Sequence, residues 1–323
     1  SSIGLSKMKK FYEPENRTIN FKEAFYIATK SGGSIFGKVG SFEKGYYFDA
    51  SRVSTIEMLL NDENLKITSP MIEESKRLIH KIVSNKISKY NHQPIFTPTI
   101  GRDGVKKVLV IDQSYGDFSI KNGMADDTTF DKMLQAAIDE NPEADVLVKA
   151  HPDTIAGKKA EKKGYYQDLV EHDNIYKVTF PINPYSLLEV CDKVYVCSSQ
   201  FGLEALMAGK EVHVFGMPFY AGWGLTIDNQ HLDRRTNKRT LEELFYIFYC
   251  LYTHWVDPEK KCETTIDAVI GKMLKLREEY KSNEAIRKVA PNAMSDDGFG
   301  IKVPLRKVSF LPRKDGQRKY TNW

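Results

Sequence analysis

Apolar runs broken by polar turns set the frame of this chain. Lys107 to Ile111, KVLVI, is a continuous apolar run ending in a polar loop, as a parallel strand buried on both faces reads. Ala144 to Ala150, Ile175 to Val178, Val194 to Val196 and Val212 to Phe215 repeat the pattern, with helical segments at Thr128 to Glu140, Pro184 to Val190 and Gly202 to Ala208 between them. Strands alternating with helices predict one doubly wound α/β domain whose ligands sit just beyond the strand ends. Upstream, Met71, Ile72, Leu78, Ile79 and Ile82 recur at helical spacing within Pro70 to Val83, after a shorter helix at Thr55 to Leu60. These helices are expected to pack, not to catalyse. Downstream, Thr240 and Glu243 form a capping box at the start of a helix carrying Leu241, Leu244, Phe245 and Phe248, and a last helix is expected over Thr264 to Lys281. Beyond Ser282 the periodicity fades, and Pro291 to Asp297 reads as linker.

The polar interruptions carry the candidate chemistry. Ser198, Ser199 and Gln200 break the strand that ends at Val196 with groups that can cap the next helix and leave its first N–H groups free for an anion such as phosphate. Glu204, one turn further, brings a carboxylate suited to a pair of sugar hydroxyls, and Gly209 stops the helix. An ordinary capped βαβ turn would read the same way. The following loop, Gly216 to Thr226, holds more Gly and aromatic residues than a linker needs. His151 stands at a strand end beside Lys149 and Asp153, and Asp112 to Asp117 forms the loop after KVLVI. Lys89 and Tyr90, in Ser88 to Asn91, either reach an anionic ligand across a cleft or end a helix ahead of Pro94 and Pro98. Arg234 and Arg235 precede the Thr240 cap at a position from which a guanidinium can meet phosphate or carboxylate. His80 and His92 are solitary and read as structural or exposed.

Three of these segments, SSQFGLEALMAGKEVHVFGMPFYAGWGLT, DQSYGDFSI at Asp112 to Ile120 and VKAHPD at Val148 to Asp153, resemble the capsule-polysaccharide biosynthesis family of bacterial retaining β-Kdo glycosyltransferases. The resemblance runs from about Phe48 to about Leu274 in the family's order, and DQSYGD is similar to the variant in its amino-terminal catalytic module. It implies a GT-B-like α/β fold with one complete Rossmann-like CMP-sugar domain at 107–281. A partial amino-terminal lobe and linker would occupy 50–106. CMP-Kdo would be the donor and a lipid-linked Kdo the acceptor, with other capsule-assembly proteins as partners. The resemblance places the nucleophile on Asp117, with Asp112 as second choice; a turn-forming Asp is the plain reading of either. His151 would hydrogen-bond or protonate the leaving phosphate. Gln113, Lys149, Ser198, Ser199, Gln200, Arg234 and Arg235 would hold the donor, Glu204 its ribose, and Lys89 and Tyr90 would face the acceptor cleft. No metal and no cofactor are expected.

Residues 1–49 depart from that family. Phe21 to Ala50 resembles the last helix and returning β segment of guanine-deaminase-like amidohydrolases, with a helix expected at Lys22 to Lys30. The metal-binding HxH pair and Asp of that family have no counterpart, so its activity does not carry over. Tyr46 to Ser51, YYFDAS, also matches a segment of the capsule family and marks a fusion joint. A divergent amino-terminal domain is the alternative.

Composition narrows the class. With 323 residues, 41% hydrophobic and 28% charged, the chain can bury a sizeable core, and a formal charge of +4 gives no reason to expect a nucleic-acid partner. The charge is uneven. Between Ile301 and Trp323, within the basic linker and tail of 282–323, Lys302, Arg306, Lys307, Arg313, Lys314, Arg318 and Lys319 face only Asp315, a basic tail that either meets the anionic inner face of the inner membrane or stays solvated. Cys191, Cys197, Cys250 and Cys262 have no metal-site spacing, which suits a reduced, cytoplasmic protein. No run approaches the ~20 apolar residues of a membrane span. A Kdo transferase and a nucleotide-binding member without activity both remain in view.

Overall fold

Alternate residues of the KVLVI strand enter two different cores. In the computed structural model, described over Lys10–Tyr12, Thr18–Glu23, Gly37–Phe42, 46–91, 93–151, 163–257, 262–282, Val308–Leu311 and Lys319–Asn322, Leu109 and Ile111 join one hydrophobic cluster while Val108 and Val110 join the other. That division is the period of two expected of a strand covered on both faces. The strands in chain order are β1 (Lys10–Tyr12), β2 (Thr18–Glu23), β3 (Gly37–Phe42), β4 (Lys107–Ile111), β5 (Asp145–Lys149), β6 (Ile175–Val178), β7 (Lys193–Val196), β8 (Glu211–Val214), β9 (Ile227–Asp228), β10 (Thr253–Asp257), β11 (Cys262–Thr264), β12 (Val308–Leu311) and β13 (Lys319–Asn322). The helices are α1 (Thr55–Asn61), α2 (Ser69–Ser84), α3 (Phe118–Asn122), α4 (Asp127–Asp139), α5 (Pro184–Leu188), α6 (Phe201–Met207), α7 (Leu241–Phe245) and α8 (Ile266–Ser282), with a π-helical segment at Tyr246–Tyr252.

A six-stranded sheet in the order β6-β5-β4-β7-β8-β9, parallel throughout, forms the centre. Counted from β4 this is the doubly wound order 3-2-1-4-5-6. Phe130, Met133 and Ala137 of α4 cover one face, and Leu203 and Leu206 of α6 with Leu187 of α5 cover the other. The sixth strand, β9, contains only two residues and therefore carries no apolar run to announce it. A second sheet, β1-β2-β3-β10-β11, is antiparallel, with Val39 of β3 opposite Thr253 of β10. Lys22 and Glu23, expected to begin a helix, lie in β2; the rest of that expected helix, 24–30, falls outside the described residues. So do Pro152, Asp153 and most of the basic tail.

The segment 50–106, expected to be a partial amino-terminal lobe and linker, packs on the sheet. Ile56 and Leu60 of α1 and Leu78 and Ile82 of α2 share one core with the sheet residues Leu109, Val194 and Val214. The aromatic loop after β8 belongs to the same core: Met217, Phe219, Tyr220, Ala221 and Trp223 are buried, and the Trp223 indole donates to the Phe219 carbonyl at 2.7 Å. Apolar packing therefore accounts for the composition of that loop.

An ion cluster pins α1 to the segment after β9. Glu57, only 2% exposed, binds Arg234 Nε at 2.5 Å and Arg235 Nε at 3.0 Å. Arg235 also donates to the carbonyls of Pro218 and Ala221 at 2.6 Å, and Arg234 donates to the carbonyl of Ala50. Both guanidiniums, expected at a ligand phosphate, are thus committed to the scaffold. Removing the carboxylate would strand the Arg235 cation in a buried site. Glu57→Ala should cost about 3 kcal/mol of unfolding free energy in urea; a loss below about 1 kcal/mol would mean that water already reaches the cluster.

Candidate functional site

The strands β4 and β7 are neighbours, Val110 opposite Tyr195, yet the chain leaves them toward opposite faces. That divergence opens a crevice at their carboxyl ends, where doubly wound folds take ligands. Gln113 from the β4 loop and Ser198 from the β7 turn close its floor. Ser198 N–H donates to Gln113 Oε1 at 2.9 Å, and Gln113 Nε2 donates to Ser198 Oγ at 3.1 Å. Asp117 is exposed and caps α3: its Oδ1 accepts from Ser119 N–H at 2.9 Å and from Ser119 Oγ at 2.8 Å. Asp112 is buried. It accepts from the N–H groups of Gln113 and Tyr165, both at 2.8 Å, so its carboxyl closes the loop, and burial pushes it up to about 6.

A second set of groups faces this crevice from β5 and the loop after α2. His151 Nδ1 lies 3.1 Å from Ser114 Oγ, and Nε2 lies 3.4 Å from Tyr90 Oη, the two rings meeting edge to face. Lys149 turns away from the crevice mouth to the carbonyls of Ala150, Val178 and Phe180, at 3.2 to 3.5 Å, where burial pushes its ammonium down to about 7. It ties the ends of β5 and β6 together. Glu204 Oε1 accepts from Lys89 N–H at 3.2 Å and so fixes the loop that presents Lys89 and Tyr90. Burial raises the Glu204 carboxyl to about 7, opposed by bonds from Ser88 and Lys89.

The turn after β7 differs from expectation in one respect. The N–H groups of Phe201, Gly202, Leu203 and Glu204 are already used, by Ser199 Oγ, the Ser199 carbonyl and the Gln200 carbonyl. Among the described residues the N–H groups of Ser199 and Gln200 have no protein partner, which moves the candidate anion position one step back along the chain. Tyr220 shapes this turn by donating its hydroxyl to the Ser199 carbonyl, an approach open only because Gly202 has no Cβ. Gln200 Nε2 donates to Tyr47 Oη at 2.9 Å. Sequence reasoning therefore located the turn but missed Ser114, Ser119 and Tyr220, whose roles depend on partners distant in the chain.

The family described as capsule polysaccharide biosynthesis protein matches residues 72–255, more than half of the chain. The chain belongs to that family. It is 38% identical over 224 residues to capsule polysaccharide modification protein LipA of Neisseria meningitidis serogroup A, covering 66% of this chain and 31% of LipA. Lipopolysaccharide-processing protein LpsZ of Rhizobium meliloti is 37% identical over 212 residues, 65% of this chain and 48% of LpsZ. The chain thus spans less than half the length of each of these relatives. The KpsC structure of Thermosulfurimonas dismutans described as a beta Kdo 2,4 transferase superposes with a TM-score of 0.71 at 39% identity, covering 76% of this chain and 75% of that one. Its beta Kdo 2,7 transferase counterpart gives 0.58 at 26% identity, covering 75% and 74%. The α/β domain described above is therefore the GT-B-like fold of this capsule family.

The buried carboxyl of Glu204 gives a measurable pH signature. Its folded value, about 7, lies above its ordinary 4.5, so the stabilising contribution of the protonated form is complete below pH 4.5 and is lost as pH rises through 7. Glu204→Gln carries no charge to bury. It should match the parent in urea unfolding near pH 4.5 and exceed it by about 2 kcal/mol at pH 8; the same difference at both pH values would place the carboxylate in water.

Proposed function

We propose that this chain is a retaining glycosyltransferase that moves Kdo from CMP-Kdo to a lipid-linked Kdo acceptor during capsule synthesis. The observation that carries the reading is Asp117: an exposed carboxylate at the crevice mouth with Oδ1 held twice and Oδ2 without a protein partner among the described residues. Membership of the capsule family and similarity to two structures described as Kdo transferases support it.

In this reading the donor phosphate lies against the N–H groups of Ser199 and Gln200, with Ser198 beside it, and the nucleotide extends toward Glu204. Asp117 Oδ2 attacks the anomeric carbon of Kdo as the bond to the phosphate oxygen breaks, its electron pair leaving with CMP. An acceptor hydroxyl then attacks the same carbon from the opposite face. The Asp117–sugar ester bond breaks, its pair returns to Oδ2, and the hydroxyl proton passes to a base. Two inversions give net retention. His151, whose Nε2 lies beside Tyr90 Oη, is assigned the hydrogen bond to the departing phosphate or the supply of its proton. Lys89 and Tyr90 form the acceptor side of the mouth. The acceptor's lipid would bring the reaction to the inner face of the inner membrane, and the family suggests other capsule-assembly proteins as partners there. We assign charge compensation to these protein groups and not to a metal.

Two measurements test this. Asp117→Asn should lower Kdo transfer from CMP-Kdo to a Kdo-primed glycolipid by more than 100-fold, about 2.7 kcal/mol of barrier, while CMP affinity by calorimetry stays within about twofold. Transfer above about one per cent of the parent would remove Asp117 from the mechanism. Parent protein that binds CMP yet transfers no Kdo would favour a binding-only member. Separately, transfer should be unchanged after EDTA treatment and gel filtration; activity lost there and recovered with a divalent cation would overturn the metal-free assignment.

A further inference from the structure

The polar side chains on the crevice floor form one chain of bonds whose shorter contacts set the direction of the protons. A carboxylate only accepts, so the Ser119 hydroxyl donates to Asp117 Oδ1, at 2.8 Å, beside the Ser119 N–H at 2.9 Å. The Ser119 oxygen can then only accept, and it does so from Ser198 Oγ at 3.1 Å and Gln113 Nε2 at 3.3 Å. The Gln113 amide is fixed in turn, because Ser198 N–H donates to its Oε1 at 2.9 Å and leaves both amide protons for the two hydroxyls. Ser198 Oγ also lies 3.5 Å from Gln113 Oε1, a longer second acceptor for its proton; along the shorter bonds the protons are directed toward Asp117. The spacing is held by close packing as well: a Cβ at Gly123, the residue that ends α3, would lie 3.2 Å from Ser198 Cβ.

We propose that Ser119 is the positioning residue that registers the nucleophile to the donor turn, an inference that rests on the reading of Asp117 given above. Its amide and hydroxyl fix Oδ1 and so select Oδ2 as the atom that bonds to the anomeric carbon while the bond to phosphate oxygen breaks toward CMP. The hydroxyl also joins Asp117 to Ser198, in the turn that receives the phosphate. Nucleophile and leaving group are thereby set at a fixed separation by a three-residue bridge between β4 and β7. Ser119 itself touches neither substrate. Loss of its hydroxyl leaves the carboxylate tethered by one bond and free to rotate about χ1 and χ2, so the cost falls on the chemical step and not on donor binding.

Ser119→Ala, Ser119→Thr and Asp117→Asn, each checked for an unchanged melting temperature within a few degrees, separate the outcomes. Ser119→Ala should lower kcat by about 10- to 100-fold with KM for CMP-Kdo and the calorimetric Kd for CMP within about twofold, because orientation and not binding is lost. Ser119→Thr keeps the hydroxyl and should recover kcat to within about threefold of the parent. An inactive Asp117→Asn together with a fully active Ser119→Ala would overturn the positioning role alone. Equal loss in the Ala and Thr variants would overturn it too, as would a fall in CMP affinity matching the fall in kcat. An active Asp117→Asn would instead sink the nucleophile reading itself.

Discussion

A parallel sheet buried on both faces forces its chain to reverse winding direction somewhere, and here the reversal falls between β4 and β7. Each strand end there has a neighbour whose connection departs the other way, so backbone polar groups are left without the cover a continuing layer would give. The Gln113–Ser198 pairing supplies that cover with two hydrogen bonds between side chain and turn. Because the same amide also reaches Ser119, satisfying the floor and orienting Asp117 are one requirement. A single network that must be fully bonded is a stricter positioning device than separate contacts, since loosening any member leaves a buried donor or acceptor unpaired.

Several residues whose chemistry resembles ligand binding are instead consumed by the scaffold. Arg234, Arg235 and Glu57 illustrate the point: a buried carboxylate needs cations, buried loop carbonyls need donors, and the two guanidiniums answer both. Lys149 does the same for three carbonyls at the ends of β5 and β6. These clusters hold rigid the elements from which the crevice groups project. They also tie α1, drawn from the segment expected to be a partial amino-terminal lobe and linker, to the segment after β9.

The strands were legible because burial on both faces leaves an unmistakable run: Lys107–Ile111 and Ile175–Val178 have the boundaries their sequences predict. The site turns were legible as polar breaks after those runs, and DQSYGD and SSQFG fall together in space as expected. Less could be read where meaning depends on a distant partner. Ser119 looks like any helix-start serine until Gln113 and Ser198 are placed beside it. Arg234 and Arg235 look available until Glu57, 177 and 178 residues away, is brought against them. The π-helical turn Tyr246–Tyr252 shifts the apolar period within what reads as one helix, and β9 is too short to leave a pattern.

Desolvation also sorts the carboxyl groups of the crevice. Asp112 and Glu204 both lie where charge is penalised, and burial holds them near 6 and 7. Each has surrendered acceptor capacity to backbone N–H groups of a loop it must keep closed. A carboxylate that attacks needs an oxygen to spare. Asp117 is exposed, and among the described residues only its Oδ1 has a protein partner. The three carboxyl groups are chemically alike, and their environments alone separate the two that hold loops from the exposed one to which the proposed function gives the attack.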